Sequence, residues 1–551
     1  MDRHRLELGL LPVLGLILVS AGLWLNFRYS GEGADGGTNY EDRAKMADSF
    51  VDSIGVVTHL DNNLANNSFE SIYLARLTEA GIRHVREGVA DQNYYRQRLK
   101  QISDSGIKLN LGAPLTQSTP TRLWPVDQLI SLIDTHLELG IRIHTLEGPN
   151  EYNNSRLVWN NQPPPSEWPT WLVEFTRDYA NSLRNDPRFQ NINIVAPTVT
   201  TFAGVNQIIA AGMSPNYVDY ANVHWYCDEY WELPPNPVLS NLCNLDPYLA
   251  NFPRPYPGKP IMITETGIPS AENPAAAPVN LRPLLLSDEV AAKYTSRRLL
   301  ELFNRGLVRT FLYELYIHPD FPNDDLNYYL GLIKESGEPK PAFRTIANLI
   351  SLTKDPGANF ATRTLSYRLA GPSTLRRTLL QKRSGELLLI LWNEVDSRNQ
   401  PPSQLATLTF ESQLMDVKTY APLTSTEAIS SAAAVGQLNF QVGDAPLVLE
   451  LKPVVAAGGL TSPGATPTSP VGSPAPVKKS TSASPSLETA PGSINEAIAE
   501  SFILPQRGFL AGPISPLQGL GVSLVIVGAL ILAGFTTYLI RLGRWEVDVA
   551  T

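Results

Sequence analysis

Two carboxylates stand where extended segments end. One segment runs into Glu147-Gly148-Pro149-Asn150-Glu151-Tyr152, and another reads Ile261-Met262-Ile263-Thr264-Glu265-Thr266-Gly267. Glu151 and Glu265 are 265 − 151 = 114 positions apart, so only a fold that gathers strand ends on one face can bring them together. If it does, one carboxylic acid can protonate a leaving oxygen while the other carboxylate attacks carbon or activates water. Splitting a glycosidic bond needs such a pair. Apposed carboxylates also push their pKa values apart, so one can remain protonated near neutral pH. A further segment carries groups suited to the same pocket: in His224-Trp225-Tyr226 the histidine and tyrosine share strand parity and can face one side. The plainer alternative makes Glu151 a helix cap and Glu265 half of an ion pair. A carboxylate straight after the apolar Ile261-Met262-Ile263 suits that alternative poorly.

The elements that must position these residues follow a repeating pattern. From about residue 53 to residue 352, short β-rich runs alternate with amphipathic helical stretches. The strand segments are Ile54–Leu60, Ile82–Glu87, Ile107–Gly112, Ile143–Gly148, Asn193–Pro197, Ala221–Tyr226, Pro260–Glu265 and Thr310–Leu315. Helical periodicity marks Ser68–Ala80, Gln92–Ser103, Val126–Leu139, Glu167–Leu183, Gly204–Ala211, Ser287–Asn304 and Ala342–Leu352; between strands six and seven the sequence reads as loop. Gly81, Gly106 and Gly140 follow three of the helices, as C-capping requires. Eight βα units over some 300 residues predict an α/β fold, a (β/α)8 TIM barrel spanning 45–355, rather than an open sheet. Chemistry in such barrels lies at the C-terminal ends of the strands. Glu151 follows the fourth strand and Glu265 ends the seventh.

With these motifs in place, the sequence resembles the clan A glycoside hydrolases, the retaining (β/α)8-barrel glycosidases that include cellulase-like and β-xylosidase-like enzymes. The resemblance covers residues 50 to 352 and rests on Asn150-Glu151 after strand four and Thr264-Glu265-Thr266-Gly267 at strand seven. It implies that Glu151 is the acid/base and Glu265 the nucleophile, with Asn150 on the substrate's 2-hydroxyl. It further implies that Tyr226 holds the nucleophile, that His224 lines the subsite, and that Arg86 keeps the nucleophile ionised. The tryptophan that many clan members carry after strand eight is absent; Tyr313 or Tyr316 could take its place. His59 and Glu314 end strands one and eight. Trp159, Trp225 and Trp231 are aromatic candidates for stacking or packing, and Glu87 and Glu147 read as structural.

After Leu352 the pattern changes. Thr364–Leu369, Leu375–Lys382, Leu387–Asn393, Leu405–Phe410, Asp416–Tyr420, Gln437–Val442 and Pro446–Leu451 are short strands. They predict a small all-β sandwich over 358–453. Residues 454–515 are a Pro/Ser/Thr-rich linker that cannot build a core. Leu8–Leu25 is an uncharged apolar run behind Arg3 and Arg5, so residues 1–30 read as a signal-anchor or signal peptide. Gly519–Ile540 is a second such run within a C-terminal transmembrane segment over 517–541, followed by Arg541, Arg544 and a tail over 542–551. The flanking arginines place both ends in the cytoplasm and everything between outside.

In an oxidising exterior, Cys227 and Cys243 are expected to pair as a disulfide across the loop after strand six. The whole chain has 551 residues, 53 acidic and 44 basic side chains and a net charge of −9, which argues against nucleic acid as a partner. No His/Cys/Asp spacing points to a catalytic metal, and two-carboxylate chemistry needs no cofactor. The expectation is therefore a membrane-anchored extracellular (or periplasmic) retaining glycosidase acting on a β-linked oligo- or polysaccharide. Two other readings stay open: a non-catalytic glycan-binding module, and an envelope-glycan transglycosylase using the same residues.

Overall fold

The computed structural model describes residues 36–60, 68–115, 123–155, 158–159, 162–226, 245–317, 322–411 and 413–454. Eight parallel strands form its centre: β1 (Ile54–Val57), β2 (His84–Gly88), β3 (Lys108–Gly112), β4 (Ile143–Glu147), β5 (Asn193–Val195), β6 (Ala221–His224), β7 (Ile261–Thr266) and β8 (Arg309–Leu312). Each pairs in parallel with its neighbours in chain order, β8 returns to β1, and a parallel bridge between Val195 and Tyr220 closes the ring between β5 and β6. Five lie within the strand segments expected from sequence, and β2, β7 and β8 overrun theirs by one residue, at Gly88, Thr266 and Arg309.

The strand interiors are buried almost throughout, as in Ile54-Gly55-Val56-Val57. Parallel strands covered on both faces require this near-continuous apolar reading. Gly81, Gly106 and Gly140 have φ of 69°, 88° and 72°, the left-handed backbone that ends a helix at little cost when no Cβ is present. Two short helices depart from expectation, one of them Ala47–Asp52 ahead of β1. Leu245–Asn251 forms a helix between β6 and β7 where the sequence reads as loop, because seven residues give too short a window for helical periodicity.

A sandwich of two sheets follows the barrel, antiparallel except where Lys45–Met46 pairs in parallel with Leu375–Gln381. One sheet orders Thr38–Arg43, Thr364–Ala370, Gln404–Thr409 and Gln437–Val442; the other orders Ala428–Val435, Met415–Tyr420, Leu447–Pro453, Leu387–Asn393, Leu375–Gln381 and Lys45–Met46. Two of these strands, Thr38–Arg43 and Lys45–Met46, come from ahead of the barrel. Ala428–Val435 carries no β-former pattern in its Ser/Ala run, so sequence reading passes over it.

Leu387–Asn393 is buried at all seven positions. Leu387, Leu389 and Leu391 fill the sandwich core, while Leu388, Ile390 and Trp392 join the barrel's core. The sheet is therefore covered on both faces, which is why this strand reads as an unbroken apolar run. Polar bonds fix the contact with the helix Asp288–Asn304. Fully buried Arg297 donates through Nη1 to the carbonyls of Asn393, Val395 and Asp444, each at 3.1 Å.

Among the described residues no helix is long and apolar enough to cross a membrane. The two apolar runs, Leu8–Leu25 and Gly519–Ile540, and the linker beyond Val454 lie outside the described residues.

Candidate active site

Glu147, Asn150, Glu151, Arg86, His224, Tyr226 and Glu265 come together at the C-terminal ends of β2, β4, β6 and β7. Arg86, at the third position of β2, organises them. Its Nε and Nη2 donate to the two oxygens of Glu147 at 2.8 and 2.9 Å, and its Nη1 donates to Glu265 Oε1 at 2.6 Å. Nη2 also donates to Asn150 Oδ1 at 2.9 Å. That bond settles the acceptor end of the Asn150 amide and leaves Nδ2 as the end that can donate to a ligand. Burial works against a charged guanidinium here, but Glu147 and Glu265 outweigh it and raise the arginine above its ordinary value.

Glu147 has no solvent exposure. Besides Arg86 it accepts from Asn110 Nδ2 at 2.8 Å and Asn222 Nδ2 at 3.0 Å. It serves as the fixed anion on which Arg86 is seated, the structural role its position at a strand end suggested. Asn110 and Asn222, which sequence reasoning missed, are the other members of this seat. Each is an amide flanked by apolar residues inside a strand, and its partner lies on another strand, so its role shows only once the strands converge.

Glu265 receives two donors and faces an imidazole nitrogen. Tyr226 Oη donates to Oε2 at 3.0 Å, and His224 Nδ1 lies 3.5 Å from the same oxygen, opposite the Arg86 bond to Oε1. Burial alone would raise this carboxyl. His224 and Arg86 more than offset that and hold it below the ordinary glutamate value. Tyr226 moves the other way, its phenol pushed well up by burial and by the Glu265 charge, so it keeps its proton and remains a donor. Asn222, His224 and Tyr226 lie on alternate positions and all reach this site, as strand parity requires.

Glu151 sits on a left-handed backbone, φ 42°, which for a non-glycine residue costs on the order of 1–3 kcal/mol. The chain holds it there: its N–H donates to Thr198 Oγ1 at 3.0 Å, its carbonyl accepts from the Asn154 N–H at 2.7 Å, and its Oε2 accepts from Asn154 Nδ2 at 2.9 Å. Its Oε1 meets His224 Nδ1 at 2.7 Å. The imidazole's other nitrogen meets Thr264 Oγ1 at 3.0 Å. Burial would strip His224 of its proton, but Glu265 and then Glu151 raise its pKa above the ordinary value. Protonated, it donates from Nδ1 to Glu151 and from Nε2 to Thr264, and its charge lies between the two carboxylates. An oxygen of Glu151, Nδ1 of His224 and an oxygen of Glu265 all lie within 4.8 Å of one another. A divalent cation among them would have to displace that proton and sit beside Arg86.

Gly267, two residues after Glu265, lets a wall close on the site. A Cβ there would fall 2.5 Å from the Tyr313 carbonyl oxygen and 2.7 Å from Leu330 Cδ2. The Tyr313 and Tyr226 rings meet edge to face with centroids 6.5 Å apart. Tyr313 thus stands beside the tyrosine that touches Glu265, whereas Tyr316 turns away to donate to the Glu335 carbonyl. His59 bonds Glu314 through Nδ1 at 2.6 Å. Trp159 and Trp225 are buried and pack within the barrel. Cys227, Cys243 and Trp231 lie outside the described residues.

No family model matches the chain, and no curated sequence does. Solved structures do. The chain is similar to a family 39 glycoside hydrolase from Bacteroides cellulosilyticus WH2, with 12% identity over 76% of this chain and 88% of that one, at a TM-score of 0.47. It is similar also to a GH51 arabinofuranosidase from Xanthomonas axonopodis pv. citri, with 12% identity over 76% and 98% of the two chains and a TM-score of 0.46. A family 30 subfamily 8 xylanase from Clostridium acetobutylicum shares 11% identity over 76% and 98%, at a TM-score of 0.44.

Proposed function

We propose that the protein is a retaining glycoside hydrolase that cleaves the O-glycosidic bonds of a β-linked glycan. The observation that carries this reading is the close carboxylate pair, with one oxygen of Glu151 within 4.8 Å of one oxygen of Glu265. Inverting enzymes keep their carboxyls roughly 6.5–9.5 Å apart to admit a water, whereas retaining enzymes hold them about 5–5.5 Å apart. Glu265, kept ionised by His224 and Arg86, attacks the anomeric carbon and forms a glycosyl ester as Glu151 passes a proton to the departing oxygen. Glu151 then removes a proton from the incoming water, which displaces Glu265 and frees the sugar. Asn150 Nδ2 is placed to donate to a sugar hydroxyl next to the reacting carbon.

The apolar runs at residues 8–25 and 519–540, each flanked by arginines, support anchoring of this body at a membrane with the barrel outside. The test is a screen of residues 36–454 against aryl glycosides, followed by incubation with the matching 2-deoxy-2-fluoro glycoside. Mass spectrometry should find the sugar esterified to Glu265. A label on another residue, or full activity in Glu265→Ala, would overturn the assignment.

A further inference from the structure

Lys340 is 3% exposed, and the chemistry above does not use it. It stands at the N-cap of the last barrel helix, Pro341–Thr353. Its Nζ donates to the Ser270 carbonyl at 3.0 Å and to the Tyr329 carbonyl at 3.0 Å, with Ser270 Oγ at 3.4 Å. Ser270 lies five residues after Glu265, and its hydroxyl donates to Asp288 Oδ1 at 2.8 Å. Tyr329 belongs to the loop after β8, where Ala277, Leu281 and Leu285 from the loop after β7 pack on it in a small separate core. Lys340 therefore lies beneath the join of two loops. A void beside it is lined by Gly267, Arg298, Tyr313 and Leu330, the layer on which Tyr313 rests. Asp288, Lys334 and Glu314 are the charged groups around it, and burial pulls its ammonium down to about 8. An apolar side chain would fill this place without that desolvation cost, so the three-way donor is the feature to explain.

We propose that Lys340 is a positioning residue that clamps the loop after the nucleophile strand to the loop after β8, and so holds the Tyr313–Tyr226 wall against Glu265. The clamp goes beyond the glycosidase reading, and its positioning role rests on that reading. Two arms separate them. Hydrogen exchange needs no substrate: in Lys340→Met, amides of residues 268–272 and 326–332 should exchange about tenfold faster than in wild type while those of β3 do not change. On the aryl glycoside that the wild type cleaves best, the same variant should lose about tenfold in kcat with KM within about threefold, because a displaced wall costs attack geometry rather than binding. Lys340→Gln, which keeps an amide donor, should recover part of both losses, and it carries the comparison if Lys340→Met does not fold. Wild-type exchange in a folded variant overturns the clamp. Faster exchange with unchanged kcat overturns the positioning role alone. A wild type inactive on every glycoside removes the glycosidase reading and with it the positioning role, and the exchange result still decides the clamp.

Discussion

The two glutamates differ in what surrounds them, and that difference sets their expected loss on substitution. On the proposed reading, Glu265→Gln removes the attacking oxygen while leaving shape intact, so kcat should fall by a factor on the order of 10⁴ or more. Glu151→Gln removes only proton transfer, so the loss should be about 10²–10⁴ with a poor leaving group and much smaller with a nitrophenolate. Steady-state kinetics on a matched pair of substrates checks both. Arg86 carries structural consequences too. Arg86→Met would strand Glu147 and Glu265 without their shared countercharge, and losing one partner of a buried ion pair costs roughly 3–5 kcal/mol. Urea unfolding should show that loss, and Arg86→Lys should not restore it, since a point charge cannot span both carboxylates. At this scale the sequence disclosed the two carboxylates that meet at the strand ends, because their positions follow from strand counting. It did not disclose the amides of Asn110 and Asn222, whose role exists only once four strands converge.

Strands reveal themselves through composition when both faces are buried, and this made all eight barrel strands and Leu387–Asn393 legible. The elements that escaped are those without such a pattern: Ala428–Val435, with its small polar run, and Thr38–Arg43, whose partner lies far along the chain. The opposite, N-terminal ends of the barrel strands hold a different network. There His84 of β2 donates through Nε2 to Asp52 Oδ1 at 2.9 Å, His144 of β4 lies against it with ring centroids 5.4 Å apart, and Lys108 and Arg309 pair with the same aspartate. Burial holds His84 at about 3 and His144 at about 4 in the folded protein, against 6.5 for an exposed imidazole. Between those values and 6.5 the unfolded chain binds the extra protons, so stability should fall as pH drops through that window. His84, nearly fully buried, contributes up to about 1.4 kcal/mol per pH unit. Urea midpoints should decline from pH 7 through 6 to 5, and His84→Asn should flatten the decline.

Across the whole molecule, barrel and sandwich share one apolar core through Leu388, Ile390, Trp392, Tyr420 and Val448. Residues 45–355 produced alone would expose that surface and lose the Arg297 carbonyl partners. They should therefore aggregate or unfold without a cooperative transition, whereas residues 36–454 should give a single calorimetric transition. Separate transitions for barrel and sandwich would contradict this coupling. The sequence pattern gives the two domains in order along the chain; their interleaving is visible only in the strand pairing.

That interleaving bears on how the protein is made. Thr38 pairs with Leu369, 369 − 38 = 331 positions later. At synthesis rates of about 5–20 residues per second, the first strand emerges roughly 17–66 seconds before its partner. Throughout that interval its edge is an unpaired template exposed to other nascent chains. The sandwich can close only after the barrel between its two parts has been translated, so the segment made first is among the last to find its place.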